Sequence, residues 1–214
     1  MKPIISAQEA VDFIPAKTSL MIGGFMAVGS PLKIIAALEE AGVPELEIIC
    51  NDTGLPDKGC GRLVTNRQVA RVVTSHIGLN PETGKQMNAG EIEVELVPQG
   101  TLVERIRSAG AGLGGVLTPT GVGTIVEENK QKLTIKGKDY LLEEPLSAQV
   151  SIIKASIVDK AGNCIFNKTT KNFNPVMATA ADLVIVETEK IVEVAEIDPD
   201  HFMLPGTFID YIVQ

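Results

Sequence analysis

The sequence is poor in aromatic residues and contains no tryptophan. Aromatic residues make up 4% of the 214 residues, whereas 44% of the chain is hydrophobic. The core must therefore be aliphatic, built from Ile, Val, Leu and Ala, which suits parallel strands covered by helices on both faces. A chain of this length has enough residues for a substantial core. With no repeat and no linker visible, we predict one domain over residues 1–214.

Long apolar runs, basic clusters and paired cysteine motifs are also missing. No apolar run approaches the ~18 residues of a membrane span, and the first residues lack the apolar segment of a signal peptide. The net charge of −8, without a Lys/Arg cluster, argues against a nucleic-acid or membrane partner. Cys50, Cys60 and Cys164 form no CxxC pair, which favours reduced thiols. We therefore expect a cytoplasmic protein.

A strand, a glycine loop and a helix start follow one another over residues 19–31. Leu20-Met21-Ile22 predicts a short buried strand, and Gly23-Gly24 would let another molecule approach the backbone. Ser30-Pro31 offers a favoured N-cap and a proline for the first helical position, and Gly42 is a suitable C-cap. The loop and helix amides would bind an anionic or carbonyl-bearing ligand. By pattern alone, a βα turn without a ligand is an equal alternative.

The remaining apolar patterns predict an alternation of strands and helices. Glu91–Leu96 alternates and is predicted to be a strand near the sheet edge. Other strands are predicted at Leu46–Cys50, Val69–Thr74, Val150–Ala155, Ile157-Val158, Ile165-Phe166 and Leu183–Val186, with a hairpin over Lys132–Leu142 and short strands and turns over Ile191–Gln214.

Two capping boxes predict helix starts. Ser6 with Glu9 opens a helix toward Phe13, and Thr101 with Glu104 opens one that ends near Ala109. Gln99 would then lie just before a helix N-terminus. A further helix is predicted over Pro175–Ala181. The GxGxxG pattern at residues 110–115 follows a helix rather than a strand, which excludes the dinucleotide-binding interpretation.

The glycine loop resembles the signature of a known family. Gly23-Gly24-Phe25, Gly29 and Pro31 have the spacing Gly-Gly-Phe-x-x-x-Gly-x-Pro, which resembles the loop of CoA-transferase alpha subunits. The family's upstream Asp/Asn–Gly pair is replaced here by Ala16-Lys17. Similar blocks recur across nearly the whole chain, at Leu96–Arg107, Gly162–Ala181 and Pro205-Gly206. The resemblance implies a CoA-transferase/NagB-like α/β fold: a mostly parallel sheet with helices on both faces and a small antiparallel β-hairpin excursion.

The resemblance implies the alpha subunit of a two-subunit enzyme that moves CoA between short-chain acids such as acetoacetate, butyrate and acetate. In that family, a glutamate in a Ser-Glu-Asn-Gly motif on the beta subunit forms a glutamyl-CoA thioester. The motif is absent here. The segment most similar to it, Glu127-Glu128-Asn129, is better interpreted as a solvated charged turn. We therefore expect a beta-subunit partner and no activity from this chain alone. Acyl-CoA and short-chain carboxylates would be substrates, and no permanently bound cofactor is expected.

The resemblance also assigns roles to individual residues. Gln99 is similar to the family glutamine that donates to the developing oxyanion, a role that its neutral amide suits; a glutamine bonded to its own turn is the alternative. The segment similar to the CoA-contacting loop comprises Gly24, Phe25, Met26, Ala27, Val28, Gly29 and Ser30. Phe25 and Met26 could instead belong to the core or a subunit interface.

Other polar residues have less specific interpretations. Asn51 and Asp52 end a strand at the presumed ligand edge, where a turn role is the default. His76 and His201 are isolated, and no metal site is predicted. Thr170 and Asn172–Asn174 could contact the partner or the site. Two alternative functions remain: a non-catalytic CoA- or sugar-phosphate-binding module on the same scaffold, and an isomerase. The lack of an evident His/carboxylate pair argues against the isomerase.

Overall fold

The computed structural model describes residues 1–214 and contains twelve strands and six α-helices. The strands are β1 (Ile4–Ile5), β2 (Ser19–Ile22), β3 (Leu46–Asp52), β4 (Val69–His76), β5 (Glu93–Leu96), β6 (Val116–Thr118), β7 (Lys132–Ile135), β8 (Lys138–Glu143), β9 (Ala148–Asp159), β10 (Cys164–Ile165), β11 (Ala181–Val192) and β12 (Tyr211–Val213). The helices are α1 (Ala7–Val11), α2 (Leu32–Ala41), α3 (Gly61–Thr65), α4 (Pro81–Asn88), α5 (Gln99–Gly110) and α6 (Asn174–Met177). None of these helices combines the length and the apolar character that a membrane crossing requires.

The main sheet is almost entirely parallel. Its strand order is β1-β12-β11-β9-β2-β3-β4-β5, and only β10 pairs antiparallel, with β9. The alternating segment forms the edge strand β5, as predicted, although it begins at Glu93 rather than Glu91. Because β2, β3, β4 and β5 are parallel neighbours, their carboxyl ends lie side by side at one edge of the sheet.

Both faces of the sheet are covered, which confirms the predicted fold class. Leu20 and Ile22 of β2 belong to a core cluster that includes residues of α1, α2 and α3. Met21, between them, belongs to a second cluster that includes residues of α5 and α6. Successive side chains of a strand point to opposite faces, so an uninterrupted apolar strand is expected where both faces are packed.

A separate three-stranded antiparallel sheet, ordered β6-β8-β7, forms the small excursion. The predicted hairpin is confirmed as β7 and β8, joined at Lys136-Gly137, which both have positive φ. Strand β6 adds a third strand that the sequence pattern did not indicate. Arg105 of α5 joins this sheet to the rest of the molecule. Its Nε donates to the Glu144 carbonyl at 3.0 Å, and its own carbonyl accepts from the Leu146 amide at 3.0 Å.

Two strands are longer than predicted. Strand β9 is continuous and joins the two segments that were predicted separately. Of the helix predicted over Pro175–Ala181, only the part within α6 is helical. Strand β11 begins at Ala181 and continues past Ile191. The two strands pair from Ala181 with Ala148 to Val192 with Asp159. This long ladder satisfies the backbone of polar stretches whose side-chain pattern does not by itself predict a strand.

One of the two predicted capping boxes is present. The Glu9 amide donates to Ser6 Oγ at 3.1 Å, and the Ser6 amide donates to Glu9 Oε2 at 2.7 Å. The box predicted at Thr101 is wrong, because α5 already begins at Gln99, with Pro98 as its N-cap. Thr101 lies inside the first turn of α5, and its buried hydroxyl has no hydrogen-bond partner.

Candidate functional site

A cleft of about 410 Å³ opens at the carboxyl ends of β2, β3, β4 and β5. Each strand contributes residues from its end or from the loop that follows it. The lining residues are Phe25, Met26, Asn51, Asp52, Ser75, His76, Leu79 and Gln99. The parallel sheet thus brings predicted site residues from both ends of a 75-residue stretch, Phe25–Gln99, into one cavity.

Gln99 is the first residue of α5 and lines this cleft. Its side chain is exposed and makes no hydrogen bond within the protein, so it is not bonded to its own turn. Helix α5 has no side-chain N-cap, and the first amides of a helix lack intrahelical acceptors. A neutral donor and a positive helix end therefore occur together at this point, an arrangement that suits a developing negative charge.

The glycine loop, residues 24–30, forms a tight two-residue turn beside Gln99. The Phe25 amide donates to the Val28 carbonyl at 3.0 Å, and the Val28 amide donates back at 2.9 Å. Between them, Met26 and Ala27 have φ of 48° and 64°, values that non-glycine residues rarely adopt. Phe25, Met26 and Val28 are 43%, 47% and 48% exposed. The loop therefore presents apolar side chains to solvent from an unusual backbone conformation.

Three side chains from outside the loop hold its backbone. Asp52 Oδ2 accepts from the Met26 amide at 2.8 Å. From the other side, Asn172 Nδ2 donates to the Val28 carbonyl and Asn174 Nδ2 donates to the Gly29 carbonyl, both at 3.0 Å. The two asparagines, whose role was left open between the site and a partner, are thus bound to the back of the glycine loop.

Two side chains of the protein occupy the space beside Gly23 and Gly24. A Cβ on Gly23 would collide with the amide of Asn174, and a Cβ on Gly24 would collide with the Ser30 hydroxyl. Gly24 also has a φ of 129°, which other residues rarely adopt. Asn174 and Ser30 thus fill the space on the Cβ side of these two glycines, and contact of the loop with CoA stays a prediction.

The start of α2 also differs from the prediction. Pro31, not Ser30, is its N-cap, and Ser30 is buried without capping the helix. The carboxylate of Glu187 on β11 accepts from the Lys33 amide at 2.8 Å and from the Ile34 amide at 3.2 Å. The negative charge that this helix end favours is thus supplied by the protein itself, and the expected ligand at this end of α2 is not supported. The C-cap prediction is confirmed, with Gly42 at φ 63°.

A second loop with the same construction lies next to the first. Residues 54–60 follow β3, and the Leu55 and Lys58 amides exchange hydrogen bonds with each other's carbonyls at 3.2 and 3.1 Å. A Cβ on Gly59 would lie 3.0 Å from that of Ala27. No repeat was predicted from the sequence, yet Gly54 and Gly59 reproduce the spacing of Gly24 and Gly29.

Polar residues that the sequence analysis treated as turn or isolated residues complete the cleft. Asn51 is only 1% exposed, and its Nδ2 has no hydrogen-bond partner. His76 is exposed and lies opposite Asp52 in the register of β3 and β4. A histidine and a carboxylate therefore do share this cleft, contrary to the sequence argument. Both Asp52 oxygens, however, already accept from backbone amides.

Other candidate residues lie outside the cleft. His201 is on the surface, where its Nδ1 lies 3.3 Å from Asp198 Oδ2. Glu127, in the nearest match to the missing glutamate motif, is bonded to Lys132 and to the Gly123 amide, which together lower the pKa of its carboxyl group. It therefore belongs to a charged surface turn, as interpreted from the sequence.

The three cysteines are buried free thiols. A hydrogen bond with Cys50 and burial raise the pKa of the Cys60 thiol, and burial raises that of Cys164. The reactive species of a cysteine is its thiolate. Neither Cys60 nor Cys164 is therefore suited to act as a nucleophile.

A family model described as coenzyme A transferase matches residues 4–214 of the chain. The acetate CoA-transferase subunit alpha of Escherichia coli K12 is 50% identical over 210 residues, covering 98% of this chain and 96% of that protein. The acetoacetyl-CoA:acetate/butyrate CoA transferase alpha subunit of Clostridium acetobutylicum is 51% identical over 211 residues, covering 99% of this chain and 97% of that protein.

The fold is also that of a solved acyl-CoA transferase. The structure of the enzyme from Escherichia coli O157:H7, a thioester complex with CoA, superposes with a TM-score of 0.89 at 23% sequence identity. The match covers 99% of this chain and 49% of that one, so the present chain spans about half the length of the solved structure.

Proposed function

This chain belongs to the coenzyme A transferase family, and we propose that it is the alpha subunit of a two-subunit transferase that acts on short-chain acids. Its substrates are proposed to be acetoacetyl-CoA, butyryl-CoA or acetyl-CoA and the matching free carboxylates, with CoA as substrate rather than resident cofactor. The nucleophilic glutamate is proposed to come from a beta subunit, since no residue of this chain's cleft is suited to that role. Three buried free thiols agree with a cytoplasmic location.

The observation that best supports this proposal is the unpaired Gln99 amide in the cleft. A donor that makes no hydrogen bond in the free protein can bond a substrate without first breaking an internal contact. In the proposed reaction, the partner's glutamate oxygen forms a bond to the acyl carbon and the thioester oxygen becomes negative. Gln99 Nε2 donates to that oxygen, and the loss of CoA thiolate then leaves an acyl-glutamyl anhydride.

The second half of the reaction uses the same site. The CoA thiolate attacks the glutamyl carbonyl carbon of the anhydride and releases the first carboxylate, which gives the glutamyl-CoA thioester. An acceptor carboxylate reverses these steps, so the glutamate is regenerated and no ATP is needed. The unpartnered Asn51 Nδ2 is proposed to donate to a carboxylate or carbonyl oxygen in the same cleft. Phe25 and Met26 are proposed to contact the acyl or pantetheine chain.

The proposal is tested by reconstitution with the protein encoded by the neighbouring reading frame. Acetoacetyl-CoA consumption with acetate or butyrate as acceptor is measured for each chain and for the assembled complex. We expect turnover only in the complex. Turnover by this chain alone would contradict the assignment of the nucleophile to the partner. An assembled complex that binds CoA without transferring it would favour the binding-module alternative.

Replacing Gln99 tests the role of this chain in the chemical step. We expect Gln99→Ala to lower kcat of the assembled complex by about 10²–10³-fold, because the transition-state oxyanion loses one donor. Gln131→Ala is the matched control, since Gln131 is also exposed and its side chain makes no hydrogen bond, but it lies outside the cleft. Turnover of Gln99→Ala within a few-fold of the Gln131→Ala value would remove Gln99 from the reaction.

A further inference from the structure

Asp52 connects the two glycine loops. Its Oδ2 accepts from the Met26 amide of the first loop at 2.8 Å, and its Oδ1 accepts from the Gly54 amide of the second at 2.9 Å. Its main-chain carbonyl accepts from Cys60 Sγ at 3.2 Å, at the far end of the second loop. Asp52 is 7% exposed and lies in the wall of the cleft. One side chain thus bonds both loops where they border the proposed site.

The contact with Met26 falls at the most unusual point of the first loop. Positive φ at two successive residues is normally met by Asn or Gly, and here Met26 and Ala27 adopt it. An L-residue keeps such a backbone conformation only where its surroundings hold it. The Asp52 carboxylate supplies a charge-assisted hydrogen bond to Met26 itself. The second loop adds lateral support, because Gly59 packs against Ala27.

We propose that Asp52 is a positioning residue for the transfer reaction, and that its carboxylate holds the Phe25–Val28 turn in the conformation that lines the cleft together with Gln99. The inference rests on the proposed function and adds to it a role for the second glycine loop as the support of the first. It also explains why a carboxylate suits this position. A carboxylate has two acceptor oxygens and no donor, whereas an asparagine would present an NH₂ group to one of the two amides.

Amide hydrogen exchange tests the contact without requiring activity. In the full chain, Asp52→Ala should speed exchange at both Met26 and Gly54 on the order of tenfold or more, because both amides lose their acceptor. Asp52→Asn should speed exchange at one of the two amides, because asparagine keeps a single acceptor oxygen. Asp57→Asn is the matched control: Asp57 is exposed in the second loop and its side chain makes no hydrogen bond. Unchanged exchange at both amides in the folded Asp52 variants would overturn the proposal.

Rescue by glycine tests the consequence for catalysis in the reconstituted complex. Asp52→Ala should lower kcat. The double variant Asp52→Ala/Met26→Gly should recover turnover to within a few-fold of the Met26→Gly single variant, because glycine adopts positive φ without support. Asp52→Asn provides the same comparison if the alanine variant does not assemble. An assembled complex that Met26→Gly does not rescue would overturn the positioning role. A wild-type complex without transfer activity would contradict the proposed function while leaving the exchange result standing.

Discussion

Two asparagines at the site show how differently one residue type can be used. Asn51 and Asn174 are both almost completely buried. The Asn174 side chain accepts from the Lys154 amide at 3.0 Å and donates to the Gly29 and Thr170 carbonyls at 3.0 and 2.8 Å. The Asn51 Nδ2 has no partner. The first asparagine therefore belongs to the scaffold, whereas the second has an unused donor beside the cleft.

This difference predicts opposite effects of alanine at the two positions. Asn174→Ala should lower the free energy of unfolding by about 2–4 kcal/mol, because it removes a buried side chain and leaves half-buried backbone groups of three segments without this partner. Asn51→Ala should cost less than about 1 kcal/mol, because no hydrogen bond of Nδ2 is lost, yet it should impair turnover in the complex. Urea denaturation measures the first effect. Equal destabilisation by both variants would show that Asn51 is also a scaffold residue.

At the scale of elements, the N-termini of three helices differ in how they are capped. Helix α1 is capped by its own Ser6, α2 by Glu187 of a distant strand, and α5 by no side chain. Only the first is a local sequence signal, because Ser6 and Glu9 are close in sequence and need nothing else. The cap of α2 depends on the sheet order, which places Glu187 beside that helix. The uncapped end of α5 is the one at the cleft.

We expect the capping box at Ser6 and the wrongly predicted one at Thr101 to respond differently to substitution. Ser6→Ala should lower the free energy of unfolding by about 1 kcal/mol, because the Glu9 amide loses its acceptor. Thr101→Val should leave stability unchanged or raise it, because it replaces a buried hydroxyl without a partner by a methyl group of similar size. Urea denaturation of both variants provides the comparison. A loss at Thr101→Val as large as that at Ser6→Ala would show that Thr101 does cap its helix.

At the scale of the whole molecule, one sheet connects the two core clusters. The clusters share β2, β3 and β4, whose successive side chains enter opposite faces. The smaller antiparallel sheet is connected to the main sheet through Arg105 of α5, whose Nε donates to the Glu144 carbonyl and whose Nη1 donates to Glu95 of β5 at 2.7 Å. We therefore expect residues 1–214 to unfold as one cooperative unit.

The two tyrosines make this expectation measurable, because the chain has no tryptophan and each sheet contains one tyrosine. Tyr140 lies in β8 of the small sheet and Tyr211 in β12 of the main sheet. The variants Tyr140→Phe and Tyr211→Phe each keep one tyrosine, so the fluorescence of each reports on one sheet. In each variant, the urea midpoint from tyrosine fluorescence should equal the midpoint from circular dichroism of the same variant. A separate, earlier transition of the Tyr140 signal would divide the chain into two units.

Several features of the fold could be read from local patterns. The aliphatic strands, the first capping box, the hairpin and the C-cap at Gly42 each depend on residues close together in sequence, and all are confirmed. Features that depend on residues far apart in the sequence were predicted less accurately. Strand β11 extends through polar residues because β9 supplies its hydrogen bonds, and no local pattern indicates that pairing.

The sequence by itself predicted the two-sided parallel sheet from composition and periodicity, and its motifs indicated the family. The resemblance to that family then implied Gln99 and the glycine loop as candidates. Only the tertiary structure decided what surrounds the candidates. It assigned the space beside Gly23 and Gly24 to Asn174 and Ser30, the end of α2 to Glu187, and the Asp52 carboxylate to two loops. The physical reason is that hydrogen-bond partners and occupied volume depend on which strands become neighbours, and sheet order is a property of the whole chain.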